Sequence, residues 1–329
     1  MGQRTGFIRI LELLLGLGVV AAGGWALISH YLNRKPPALP KQLQTARQAL
    51  IQGNEQLASS IFDSYLSSRA TNPQANQFVL AACDTLPSHP KMLLHYAYQA
   101  VKNCRQADDA TRADLYVAEA EAYSEQKPPK GAPAQAAVRQ ALALQPHDPQ
   151  IQNAAGYLIA DTSCDMTDLD QAESLIIRAL QKLQNPITDN DRQMLALCED
   201  SYGWALYRKG CCGSPANAQR EYDRAANALL QASVDIPSDT PASEARVVFY
   251  HLGEAYKQAG KLEQARQAFR VAIHYDPSYS QALQAQGDLQ KMMTATPPPS
   301  PSPLSSKAFT PLSSKRLTPI LATSKNQKS

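Results

Sequence analysis

The fold is decided by residues 246–279, which read RVVFYHLGEAYKQAGKLEQARQAFRVAIHYDPSY. Apolar residues recur there every three or four positions, which predicts two amphipathic helices. Gly260 separates the two helices and Pro277 ends the second. Two helices approach closely only where a small residue faces a large one. The residues predicted to form this contact are Phe249, Leu252, Gly253, Tyr256, Ala265, Phe269 and Ala272.

The same pattern occurs further upstream. Gly203 and Ala225 correspond to Gly253 and Ala265 and predict a unit at 196–239, lengthened by an insertion at residues 211–217. Gly156 and Ala172 predict another unit at 149–186. Residues 113–293 are therefore predicted to be an array of such units, and residues 41–112 to be more degenerate helical repeats.

Residues 246–279 resemble a tetratricopeptide repeat. That repeat has a period of about 34 residues, and one helix pair cannot bury its hydrophobic face alone. The phrases NAAGYLIAD and EDSYGWALYRKG are similar to adjacent units of bacterial tetratricopeptide proteins. The resemblance implies an all-α fold, a right-handed superhelical array of antiparallel helix pairs. It says little about function, because such repeats serve scaffolds, chaperones and regulators alike.

The N-terminal segment is predicted to anchor the chain in a membrane. Residues 13–28 carry no charge, and residues 7–32 are long enough to cross a bilayer core of about 30 Å as one transmembrane helix. A tail at 1–6 precedes this helix and a Pro-containing linker at 33–40 follows it. The alternative is a signal peptide cleaved near Gly24.

The C-terminal residues 294–329 are dense in Pro, Ser and Lys and poor in apolar residues. Such a composition buries too little apolar surface to offset the entropy of ordering, so a disordered tail is predicted.

Charge argues against a nucleic-acid partner. Residues 1–35 and 289–329 hold ten of the 32 basic residues and only one of the 29 acidic ones, so the middle keeps 22 basic and 28 acidic residues. Nucleic-acid affinity depends largely on Lys and Arg at phosphates, and an acidic array lacks that surplus.

No motif of catalysis is visible. The sequence has no glycine-rich phosphate loop, no HExxH and no GxSxG. The six histidines never occur at zinc-ligand spacing and the six cysteines form no CxxC. We therefore predict no enzymatic activity, no cofactor and no metal.

The cysteines suggest a disulfide bond between consecutive repeats. Cys164 follows Gly156 by eight residues and Cys211 follows Gly203 by eight, so both are expected in equivalent inserted loops. The sequence predicts a bond from Cys164 to Cys211 or Cys212 if the compartment is oxidising. The alternative is that all six thiols are free.

The resemblance also implies where a ligand binds. In tetratricopeptide arrays the first helices of successive units line a concave groove, and outward residues on them contact a peptide. An extended or helical peptide held by aromatic and apolar contacts would suit the residues found there. The predicted groove residues are Asn153, Tyr157, Asp200, Trp204, Tyr207, Tyr250, Glu254 and Lys257. The alternative for Tyr157 and Trp204 is packing against the next unit.

Together these features predict a single-pass membrane protein that binds peptide segments of other proteins as a scaffold or assembly factor. The repeats are expected outside the cytoplasm, in the periplasm of a bacterium, with the cytoplasmic side left open. The alternatives are an accessory subunit of an enzyme or of a secretion or envelope complex, or a secreted soluble protein. The sequence leaves the homo-oligomeric state open.

Overall fold

A computed structural model describes residues 39–83, 85, 89–126, 131–183, 186, 188–238, 240 and 242–295. Secondary structure in these residues is entirely α-helical. The thirteen helices are α1 (Lys41–Ile51), α2 (Glu55–Leu66), α3 (Pro73–Cys83), α4 (Pro90–Asn103), α5 (Asp109–Ser124), α6 (Gly131–Leu144), α7 (Pro149–Thr162), α8 (Met166–Lys182), α9 (Asp189–Cys212), α10 (Pro215–Asp235), α11 (Ala242–Gln258), α12 (Leu262–Tyr275) and α13 (Ser280–Ala295).

Consecutive helices pack as six pairs, α1–α2 through α11–α12, and α13 follows the last pair. The second helix of each pair also packs against the first helix of the next pair, and the first helices of successive pairs touch one another. Because substantial contacts link only neighbouring units, the structure is an all-α solenoid. This part of the sequence prediction is confirmed.

Three glycines set the distance between paired helices. A Cβ on Gly156 would lie 2.4 Å from Ile176 Cγ1, one on Gly203 2.5 Å from Leu229 Cγ, and one on Gly253 2.4 Å from Phe269 Cε1. Each of the three helices α7, α9 and α11 therefore carries a notch at its glycine, and a large apolar residue of the partner helix fills that notch. Ala172, Ala225, Ala265 and Ala272 are fully buried, Tyr256 is nearly so, and Pro277 is exposed beyond the end of α12.

The first helix pair, α1–α2, keeps the register of α11–α12. Gly53 and Gly260 both adopt φ of 75° in the turn between the paired helices, a left-handed conformation that glycine adopts without strain. Ala58 and Phe62 are fully buried at the offsets from Gly53 that Ala265 and Phe269 have from Gly260. The N-terminal part of the array thus contains a well-formed repeat.

Side-chain caps begin several of the helices. Asp148 accepts hydrogen bonds from the amides of Gln150 and Ile151 at the start of α7, and Asp165 does the same at the start of α8. At α9, Thr188 and Asp191 form a reciprocal capping box. These caps satisfy amides that have no partner within the helix and so fix where each helix begins.

The insertion in the unit at 196–239 is mostly helical. α9 continues to Cys212 and α10 begins at Pro215, so only Gly213 and Ser214 lie between the two helices. The prediction that Cys211 lies in an inserted loop was wrong, because the extra residues extend two helices by about one turn each. Cys164 does lie in a connection, between α7 and α8.

Four of the predicted segments lie wholly or mostly outside the described residues. These are the tail at 1–6, the transmembrane helix at 7–32, most of the linker at 33–40 and nearly all of the tail at 294–329; α13 extends to Ala295. Among the described helices, none has the length and apolarity needed to cross a bilayer.

Buried apolar residues form two main cores. The smaller core joins α1–α5 and includes Leu43, Phe62 and Tyr96. The larger core runs from α5 to α13. Helix α5 contributes to both cores.

Candidate functional site

The first helices α7, α9 and α11 bring the predicted groove residues together. Asn153, Asp200 and Tyr250 each lie three residues before the notch glycine of their helix, and Tyr157, Trp204 and Glu254 each follow it directly. Because α7 contacts α9 and α9 contacts α11, these residues form two rows across the array. We call the surface that they form the inner face.

Trp204 lies at the centre of the inner face. Its ring stacks on Tyr207 of the same helix, with centroids 4.7 Å apart, and on His251 of α11, with centroids 4.1 Å apart. Its Nε1 donates a hydrogen bond to Asp161 Oδ1 of α7 at 3.1 Å. Trp204 therefore links three successive units, and its stacking on His251 is the packing against the next unit that the sequence left as an alternative.

Two carboxylates of the inner face have partners on neighbouring residues. Asp200 lies 3.0 Å from His251 Nδ1, and both side chains are almost fully buried. Glu254 accepts hydrogen bonds from the hydroxyl of Tyr207 at 3.2 Å and from Lys257 Nζ at 2.6 Å. These contacts hold α9 against α11.

Five other side chains present buried polar atoms with no hydrogen-bond partner among the described residues. The atoms are Asn153 Oδ1 and Nδ2, the hydroxyls of Tyr157 and Tyr279, Asp161 Oδ2 and His251 Nε2. A buried polar group without a partner costs about 1–3 kcal/mol. Water or the polar atoms of a ligand would remove that cost.

Burial determines the protonation states on this face. Burial raises the pKa of Asp161 from 3.8 to about 6, although Arg208, the bond from Trp204 and His251 oppose that rise. Burial also raises the pKa of Tyr157, Tyr207 and Tyr250 well above 10.0. At neutral pH these hydroxyls keep their protons and can donate hydrogen bonds.

Seven of the eight predicted groove residues are at most 3% exposed, and only Lys257 is half-buried. All eight residues lie on one surface, and most of that surface is inaccessible to solvent. Contact of these side chains with a ligand stays a prediction.

Three residues of the inner face were missed from the sequence: Asp161, His251 and Tyr279. Asp161 follows Tyr157 by one helical turn, so extending the row along α7 would have found it. His251 lies over Trp204 only because of the way in which α9 and α11 pack against each other. Tyr279 lies just before α13 and meets Tyr250 edge to face with centroids 5.5 Å apart. Nothing in the local pattern signals either of these two contacts.

A disulfide bond lies at one end of the inner face. The structure joins Cys164 to Cys212, with an S–S distance of 2.06 Å, so of the two partners that the sequence left open it selects Cys212. Cys211 has a free thiol that accepts a hydrogen bond from the hydroxyl of Tyr222 at 3.7 Å. Arg208 donates to the carbonyl oxygen of Ser163 beside the bond.

In the described part of the chain, no group of three or more His, Cys, Asp or Glu residues is arranged to hold a metal ion.

Comparison with known proteins finds similarity only to solved structures. No family profile matches the chain, and no curated protein matches it. The structure of the APC/C hetero-tetramer Cut9-Hcn1 is 14% identical, aligns over 84% of this chain and 48% of its own, and has a TM-score of 0.49. The chain thus spans about half the length of that relative.

Two tetratricopeptide repeat proteins also match. One is YrrB, described as having an unusual peptide-binding site, at 15% identity over 69% of this chain and 97% of its own, with a TM-score of 0.35. The other, from Parabacteroides merdae ATCC 43184, is 12% identical over 76% of this chain and 98% of its own, with a TM-score of 0.38. At these TM-scores the likenesses carry no argument, and the fold assignment rests on the helix contacts described above.

Proposed function

We propose that the array is a tetratricopeptide-type scaffold that binds a peptide segment of a partner protein along the inner face. The observation that carries this proposal is the set of buried polar atoms without partners on Asn153, Tyr157, Asp161, His251 and Tyr279. A peptide backbone offers one donor and one acceptor per residue, which matches the donor and acceptor of the Asn153 amide. The tyrosine hydroxyls would donate to peptide carbonyls, and the aromatic rings would pack against side chains.

Binding requires the inner face to open. The first helices pack mainly on the first helices of adjacent units, so a small change of angle at each contact would add up along the array and uncover the face. The apparent affinity would then be the intrinsic affinity reduced by the fraction of open protein.

The experiment uses a photo-crosslinking amino acid at position 257, the half-buried end of the inner face, in living cells. The matched control places it at Val234, which is 70% exposed on α10. Adducts at 257 that are absent at 234 are expected, and mass spectrometry identifies the crosslinked peptide. The same adducts at both positions would contradict the proposal.

The crosslinked peptide then tests individual residues. Asn153→Ala and Tyr157→Phe are expected to weaken its binding about fivefold each, because a hydrogen bond contributes about 1 kcal/mol. Tyr98→Phe, at a site 54% exposed on α4, is the control and should bind as the wild type does. Since the Tyr157 hydroxyl has no hydrogen-bond partner among the described residues, Tyr157→Phe should keep or raise the melting temperature of the free protein. A loss of stability together with binding would instead indicate a purely structural role.

We further propose that residues 7–32 anchor the chain in a membrane, with the array outside the cytoplasm. Support comes from the uncharged run at 13–28 and from a Cys164–Cys212 pair that an oxidising compartment would keep bonded. In spheroplasts, whose outer membrane has been opened, added trypsin should remove a C-terminal tag by cutting in the Lys-containing tail. Protection that disappears on permeabilisation would place the array in the cytoplasm, and an N-terminal mass that begins near Gly24 would show a secreted protein.

A further inference from the structure

Helix α13 repeats the register of α11. The period of the repeat, 34 residues, relates the two helices. Adding 34 to positions 249, 252, 253 and 256 of α11 gives positions 283, 286, 287 and 290 of α13. Gly287 thus occupies the position of Gly253, and Leu283 that of Phe249. α13 is by this register the first helix of another unit.

The face that α12 covers on α11 is open on α13. Phe269 of α12 fills the notch at Gly253, whereas a Cβ on Gly287 would meet no atom of the described residues within 4 Å. Leu283 is 44% exposed. A groove of about 400 Å³ lies here, lined by Arg266 and Arg270 of α12 and by residues of α13 that include Leu283, Gly287 and Met293.

The sequence that follows α13 lacks the pattern of a second helix. In three of the six helix pairs the second helix begins four residues after the first ends, as Leu262 follows Gln258. At the equivalent place the sequence has prolines at 297, 298, 299, 301, 303 and 311. Proline in a helix interior costs about 3 kcal/mol or more, so a helix of the length of α12 is not expected there.

Charge indicates what kind of helix fits. Between α8 and α10, Glu173 binds Arg224 across successive second helices at 3.1 Å. Glu173 directly follows Ala172 on α8, and Arg266 directly follows Ala265 on α12. Arg266, which also pairs with Glu263 of its own helix at 2.7 Å, therefore occupies the position from which a second helix contacts the next second helix. Arg270 is exposed one turn further along the groove. An incoming helix should therefore carry an acidic residue where α10 carries Arg224.

We propose that the groove between α12 and α13 binds an acidic amphipathic helix of another protein, which completes the unit that α13 begins. The helix would place a large apolar residue over Gly287, as Leu229 and Phe269 are placed over Gly203 and Gly253. Its acidic residue, five positions before the apolar one, would meet Arg266. The polar side chains of Gln286 and Gln290 keep the groove hydrated when no helix is bound, which suits a partner that binds reversibly.

The probe is a labelled synthetic peptide of residues 215–235 with Arg224→Glu, and its binding to the purified full-length chain is followed by fluorescence anisotropy. The unchanged peptide is the matched control. The Glu peptide is expected to bind about fivefold to tenfold more tightly, since one ion pair replaces a repulsion between like charges. Arg266→Glu in the protein should invert this preference.

Substitutions on α13 test the location. Gly287→Leu fills the groove and should weaken the Glu peptide at least tenfold, whereas Gln284→Leu places the same leucine side chain at an exposed position outside the groove and should change nothing. Because the site at Gly287 is open, Gly287→Leu should fold normally, which thermal melting checks. Equal binding to wild type and Gly287→Leu, or no binding at millimolar peptide, would overturn the proposal. A dimer of the chain alone that Gly287→Leu dissociates would also overturn it, by assigning the groove to a second copy. None of these results depends on the inner face.

Discussion

Gly156 lies where α7 and α8 touch without room for a methyl group. In Gly156→Ala the new Cβ would approach both Ile176 Cγ1 at 2.4 Å and the backbone oxygen of Ala172 at 2.9 Å. Since a backbone atom cannot move away on its own, we expect the free energy of unfolding in urea to fall by about 1–3 kcal/mol. Gly287→Ala is the control, because its Cβ meets open space and it should raise stability by up to about 1 kcal/mol. Equal effects at the two glycines would contradict this account of the notches.

Asp161 should make stability depend on pH. Its pKa is higher in the folded protein, at about 6, than the ordinary 3.8, so the folded state binds this proton more tightly. The resulting stabilisation is complete below about pH 4 and is lost as the pH rises through about 6; its size is about 3 kcal/mol. Asp161→Asn keeps an acceptor for Trp204 and removes the ionisation.

Urea unfolding at several pH values tests this. The Asp161→Asn protein should be more stable than the wild type at pH 7.5, and the difference should shrink as the pH falls toward 4. A difference that stays constant with pH would show that the Asp161 carboxyl is not perturbed as described.

The inner face shows how far single residues could be predicted. Register with the notch glycines placed Tyr157, Trp204 and Glu254 on one surface, because register depends only on helical spacing. Their burial was not predictable, since it depends on how closely successive first helices approach. The pairing of Asp200 with His251, fifty-one residues apart, likewise depends on how α9 and α11 pack against each other.

At the scale of elements, the local sequence indicates the notches, and it also holds a signal for the connection between α9 and α10 that the sequence prediction did not use. The correspondence of Gly203 with Gly253 correctly predicted that α9 pairs with α10. The extra residues at 211–217, however, were assigned to a loop. Ser214 followed by Pro215 is a helix-start signal, since proline is favoured in the first helical turn. That signal would have shown α10 beginning early and Cys212 ending α9.

The Cys164–Cys212 bond should stabilise the junction of two units. It closes a segment with a sequence separation of 48, and chain entropy for a loop of that size corresponds to about 3–4 kcal/mol. Reduction or Cys212→Ser should therefore lower the melting temperature, and Cys211→Ser, which removes a free thiol, should have little effect. A reducing agent that leaves the wild-type melting temperature unchanged would show that the bond is absent from the protein as isolated.

At the scale of the whole molecule, α5 joins two cores. Leu115 and Ala122 face the smaller core with α1–α4, whereas Ala113 and Val117 face the larger one with α6–α13. Since units contact only their neighbours, a fragment that begins at Arg105 keeps every residue of the larger core. We expect it to fold, with a cooperative melting transition by circular dichroism and a stability lowered by the newly exposed face of α5.

Leu115→Gln separates this account from a general effect of truncation. In the full-length chain Leu115 is 2% exposed, and the substitution should lower the free energy of unfolding by about 3 kcal/mol or more, because it buries a polar amide and removes an apolar side chain. In the fragment the same position faces solvent, so the substitution should leave stability within about 0.5 kcal/mol of the unsubstituted fragment. A fragment that fails to fold, or one as sensitive to Leu115→Gln as the full-length chain, would mean that the two cores form a single cooperative unit.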